Sequence, residues 1–125
     1  MERLGIAGVF LFGSQAQGLA RETSDYDFGI LIKDYKVLSD TSQKNSIYDR
    51  LYDLFSSQIQ KLVNIDIVFL QSADLQLQYH VVSSGNLLYL GDASIVSDFI
   101  ERTIEFYADF APHRKIFHES ILGRI

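Results

Sequence analysis

Two short apolar runs bracket a polar stretch, and that arrangement constrains this chain more than any other. Gly8 to Phe12 reads GVFLF, Gly13 to Asp27 reads GSQAQGLARETSDYD, and Phe28 to Ile32 reads FGILI. Both runs have the length and composition of buried strands. In an extended chain side chains alternate between faces, so Asp25 and Asp27 fall together on one face and Tyr26 and Phe28 on the other. Two carboxylates a few ångströms apart repel, and without a partner at least one has its pKa raised. A hard divalent cation removes the conflict, because Mg²⁺ takes oxygen ligands and shares them with substrate phosphates. The Gly-Ser turn at the other end fits the same chemistry. Gly13 allows the backbone close to a phosphate, and the Ser14 hydroxyl with the first amides of a following helix can donate to it. These residues point to a metal-dependent nucleotide site.

Composition bounds the reading. With 125 residues and 47% hydrophobic content, the chain suits one domain over residues 1–125 that buries roughly two-thirds of its unfolded surface. There are no cysteines, so no disulfide scaffold is available. No basic segment with a following apolar stretch opens the chain, and its apolar runs are too short to span a bilayer. A cytoplasmic protein without membrane association is expected. The formal net charge of −5 disfavours direct nucleic-acid binding and suits a basic protein partner.

In order along the chain, Ile6 to Phe12 reads as a strand, Ser14 to Ala20 as a short helix, Arg21 to Ser24 as a turn and Asp25 to Ile32 as a second strand. Lys33 to Gln43 reads as a loop. From Asn45 or Ser46, Ile47, Leu51, Leu54, Phe55, Ile59 and Leu62 recur at helical spacing. Val63 to Leu70 is a third strand, and within it Asp66 stands between Ile65 and Ile67. A lone carboxylate in so apolar a strand is costly to bury without a partner. Placing it beside Asp25 and Asp27 completes a three-carboxylate metal site; a strand-end Asp in solvent is the alternative. Ala73 to Ser83 reads as a short helix and Asn86 to Leu90 as an edge strand. Asp92 caps a helix to Ala108 that Pro112 should end or kink, and Ala111 to Ile125 is a further helical piece. His80, His113 and His118 lack ligand spacing and read as surface or partly buried residues. Most aromatics follow the apolar periodicity, while Tyr107, Phe110 and Phe117 are candidates for a partner surface. Strands separated by helices make this an α/β domain with a small mixed sheet.

Gly13-Ser14, ten residues, Asp25-x-Asp27 and a later strand Asp66 together resemble the nucleotidyltransferase superfamily related to DNA polymerase β. The short length resembles its minimal nucleotidyltransferase branch, the MntA-like antitoxins of HEPN/MNT toxin–antitoxin systems. The likeness covers about Val9 to Leu70 closely and the C-terminal helices by pattern only. It implies the nucleotidyltransferase fold, a small mixed sheet flanked by α-helices with a helical C-terminus. It also implies transfer of AMP from ATP to a tyrosine hydroxyl of a cognate HEPN RNase toxin, which neutralises the toxin. On that reading Asp25 and Asp27 hold Mg²⁺ against the triphosphate. Asp66 ligates the second of two Mg²⁺ ions and accepts the hydroxyl proton. Gly13 and Ser14 grip the β- and γ-phosphates. Arg21 contacts phosphate or partner, or is a solvated loop residue. Gln15 and Gln17 stand where relatives commonly carry arginine, so weaker triphosphate affinity is expected. Two other functions remain open: a small-molecule transferase of the aminoglycoside-modifying kind, and a non-catalytic antitoxin that neutralises its partner by binding.

Overall fold

Burial drives the first strand on both faces. Ile6, Ala7, Val9, Phe10 and Phe12 are all buried, as expected for a strand with helices on either side. This strand, β1 (Ile6–Phe12), pairs antiparallel with β2 (Tyr26–Ile32) on one side and with β4 (Asn86–Leu90) on the other. β3 (Ile65–Phe69) pairs parallel with β2, so the order is β3-β2-β1-β4 in a mixed four-stranded sheet. The computed structural model describes residues 2–13, 25–59 and 63–122, with side chains described between 3 and 109. Among the described residues no helix is long and apolar enough to cross a membrane.

A parallel pair needs a crossover connection, and helix α1 (Thr41–Ile59) supplies it. It begins earlier than its apolar periodicity suggests. The Asp40 carboxylate accepts from the Ser42 amide at 3.0 Å, the Gln43 amide at 3.3 Å and the Gln43 side chain at 2.9 Å. That satisfies donors which the first helical turn otherwise leaves open. The stretch expected as plain loop contains a 3₁₀ turn, Tyr35–Ser39, begun by Asp34. Leu51 and Phe55 are the buried residues of α1. Phe55 stacks on Phe28 with ring centroids 4.0 Å apart, in a core with Ile6, Val9, Ile30, Ile32, Ile67 and Phe69.

The other face of the sheet packs on α2 (Leu75–Ser84) and α3 (Ala93–Leu122) around Phe10, Phe12, Leu31, Leu70, Val81 and Val96. Asp74 and Asp92 cap these helices, accepting from the amides of Leu77 and Ile95 at 2.8 and 3.1 Å. α3 runs unbroken past Pro112, because proline removes one amide donor while the hydrogen bonds on either side persist. The Gln71 side chain donates to the Ile32 carbonyl at 2.7 Å and accepts from its amide at 3.1 Å, holding β2 to the turn after β3. Tyr107 does not offer a free partner surface, since its ring stacks on Tyr79 at 3.6 Å. Phe110 and Phe117 lie outside the described side chains. Exposed apolar side chains occur instead at Leu87, Leu88 and Leu90 of β4 and at Ile104 and Phe106 of α3.

Candidate active site

Strand alternation decides which side chains meet. Phe28, Ile30 and Ile32 enter the core beneath α1, while Leu31 enters the core beneath α2 and α3. The same period of two carries Asp27, and Asp25 just before the strand, onto the α2–α3 side. Asp66 is carried there too, because Ile65 and Ile67 pack on the α1 side. Register completes the match: Asp27 is the parallel partner of Asp66 and the antiparallel partner of Phe12. Asp66, Asp27 and Phe12 therefore form a row across three strands, each step about 4.8 Å.

The electrostatics of that row favour a cation. The pKa of Asp27 is raised, first by burial, then by the charge of Asp66 and then by that of Asp25. Asp27 is half-buried, whereas Asp25 and Asp66 are exposed. Among the described residues no three His, Cys, Asp or Glu side chains are gathered closely enough to hold a metal ion. The donor set is nonetheless all hard oxygen, and a divalent ion would relieve the repulsion that Asp27 feels, so these residues fit Mg²⁺.

Gly13 closes the row from the end of β1. Its φ of +75° lies in the left-handed region, and a Cβ at this position would overlap the Asp27 carboxylate. The turn itself requires glycine, and a side chain here would push the movable Asp27 carboxylate aside. Ser14 and Arg21, together with the short helix expected over 14–20, lie outside the described residues.

One neighbour carried no sequence signal. The His80 ring of α2 meets Phe12 edge-on, with centroids 6.3 Å apart and planes at 86°. Its Nδ1 is 3.5 Å from the Ser84 hydroxyl, which donates to the His80 carbonyl at 2.7 Å. No spacing along the chain links this histidine to Asp25, Asp27 or Asp66. A cavity of about 290 Å³ under Val9, Leu11, Phe28, Phe55, Leu88 and Tyr89 opens on the α1 side, away from the carboxylates.

Comparison with known proteins identifies the family and the fold. The family model described as "Polymerase beta, Nucleotidyltransferase" matches residues 1–94. A search of curated proteins gives no match. Among solved structures, a toxin–antitoxin complex with AMP-PNP is 25% identical, covering 94% of this chain and 87% of that one at a TM-score of 0.71. An MntA–HepT toxin–antitoxin structure is 23% identical, covering 94% of this chain and 85% of that one at 0.64. The complex of tri-AMPylated Shewanella oneidensis HEPN toxin with its MNT antitoxin is 22% identical, covering 98% and 89% at 0.66.

Proposed function

The chain belongs to the polymerase beta nucleotidyltransferase family, and we propose that it is an antitoxin that transfers AMP from ATP to a tyrosine hydroxyl of a cognate HEPN toxin. The observation that carries this reading is the Asp27–Asp66 pairing beside the Gly13 turn. The likeness to a toxin–antitoxin complex holding AMP-PNP supports it.

In this reaction the tyrosyl oxygen attacks the α-phosphorus, the bond from that phosphorus to the α–β bridging oxygen breaks, and pyrophosphate leaves. Asp25 and Asp27 would hold Mg²⁺ toward the triphosphate, and Asp66 would ligate a second Mg²⁺. When bound, the two ions neutralise phosphate charge and lower the pKa of the attacking hydroxyl. Asp66, exposed on the edge strand β3, would accept the hydroxyl proton as the partner approaches. The Gly13 turn and Ser14 would receive the β- and γ-phosphates, and Arg21 would contact phosphate or partner. An unperturbed tyrosine ionises near pH 10, so it needs such help to attack at neutral pH.

The test is incubation with the co-encoded HEPN protein, ATP and Mg²⁺, followed by intact-mass spectrometry of that partner. Mass added in AMP-sized steps, lost in an Asp25→Asn/Asp27→Asn variant, supports transfer. A stable complex without added mass, formed equally by that variant, refutes it and leaves neutralisation by binding.

A further inference from the structure

The site row has a direction, and His80 stands at one end of it. Strand order places Asp66 on the edge strand β3, Asp27 on β2 and Phe12 with Gly13 on β1. α2 runs back toward this end of the sheet: its cap, Gly85, passes close to the Leu11 carbonyl, and Asn86 then pairs with Leu11. His80, one turn before that cap, is exposed and sits edge-on over Phe12. With Nδ1 facing Ser84 at 3.5 Å, Nε2 at the tip of the ring is the nitrogen left to meet a ligand.

We propose that His80 binds the distal phosphates of the nucleotide, as a substrate-binding residue beyond the carboxylates and the Gly13 turn. The inference rests on the transferase reading and deepens it.

Two roles compete for a histidine here, and distance separates them. A base for the attacking hydroxyl must come within about 3 Å of it. The hydroxyl enters beside Asp66, and two strand spacings of about 4.8 Å each separate β3 from β1. His80, over Phe12 of β1, stands on the far side of that gap. On this assignment the β- and γ-phosphates, received at Gly13, extend over β1 toward Phe12, where the imidazole in its Nε2–H tautomer donates to a non-bridging oxygen.

The experiment is calorimetric titration of the full chain with ATP, ADP and AMP in Mg²⁺, for wild type, His80→Ala and His80→Gln. Since His80 is exposed, both variants should melt with the wild type, and thermal melts verify this. His80→Ala should weaken ATP roughly tenfold, the usual scale for one hydrogen bond to a charged group. AMP should bind it as it binds wild type, and His80→Gln, which keeps an amide donor, should recover part of the loss. With the toxin present, KM for ATP should rise while kcat stays close to wild type. Unchanged ATP affinity, or equal weakening of ATP and AMP, overturns the assignment while the transferase reading stands. A wild-type chain that binds none of the three nucleotides overturns both.

Discussion

Replacing Asp27 by Asn should stabilise the metal-free protein while removing its response to Mg²⁺. The carboxylates of Asp27 and Asp66 project from paired positions on adjacent strands, which puts them about 5 Å apart. Coulomb's law gives about 0.8 kcal/mol at that distance in water and about 3 kcal/mol at an effective dielectric of 20. Asp66 and Asp25 are exposed and Asp27 is only half-buried, so solvent screening sets the value near the lower figure, about 1 kcal/mol for each neighbour. Asn is nearly isosteric and uncharged, so the gain should be about 1–2 kcal/mol, or ~3–8 °C in Tm for a domain of this size. The sign follows from linkage. The folded-state pKa of Asp27 lies above the ordinary value of 3.8, so the folded chain holds this proton more tightly than the unfolded chain does. Stability from this group therefore falls as pH rises from the ordinary carboxylate range through the raised value, and the penalty is complete at neutral pH. Melts in EDTA at pH 7 should place the Asp27→Asn variant above wild type, and the gap should close below about pH 4, where both side chains are neutral. Added Mg²⁺ should then raise the Tm of wild type more than that of the variant, through preferential binding to the folded state. A variant less stable than wild type at pH 7 in EDTA, or a gap independent of pH, refutes the electrostatic account.

Gly13→Ala should lower Tm and strongly reduce AMP transfer, because the left-handed backbone costs an L residue about 1–2 kcal/mol and the new Cβ displaces the Asp27 carboxylate. Wild-type turnover in that variant would show that the turn tolerates a side chain. Leu51, fully buried beneath the sheet, should lose about 2–5 kcal/mol on truncation to Ala, measured by urea unfolding. Gln71→Ala removes both side-chain hydrogen bonds to Ile32 and should destabilise by about 1–3 kcal/mol. Because that contact closes the sheet end opposite the carboxylates, the KM for ATP should stay unchanged in folded protein.

The sheet and the acidic residues were legible because each leaves a local trace. An apolar run of strand length declares a buried strand, and β1, β2 and β4 begin and end within a residue of where composition places them. Asp66 stands out between two isoleucines, yet it is exposed rather than buried, so burial cost is not what brings it to Asp27; parallel pairing of β2 and β3 does that. Helix α1 was less legible. Its apolar stripe marks only the face turned to the sheet, whereas its start is set by the polar cap Asp40, which periodicity does not register. Pro112 misled in the other direction, since a long helix absorbs the loss of one donor. His80 was not legible at all. Its place over Phe12 depends on how α2 lies along the sheet, and no sequence spacing encodes that.

Topology explains why Asp27 and Asp66, far apart in sequence, end as paired neighbours. Asp25 precedes β2, Asp27 lies one residue into it, and Asp66 lies one residue into β3. Had the two strands paired antiparallel, their opening residues would stand at opposite ends of the sheet, roughly the length of a strand apart. The helical crossover α1 makes the pairing parallel, so both strand starts share one end and one face. β1 runs the other way, and its last residue, Phe12, delivers the Gly13 turn to that same end. Acids arrive on strand starts and the Gly13 turn on a strand finish, so a mixed sheet is needed to bring them together. Shifting the β2–β3 register by a single residue would turn Asp66 to the α1 face, which is why Ile65 and Ile67, packed beneath α1, do as much for the site as the carboxylate between them.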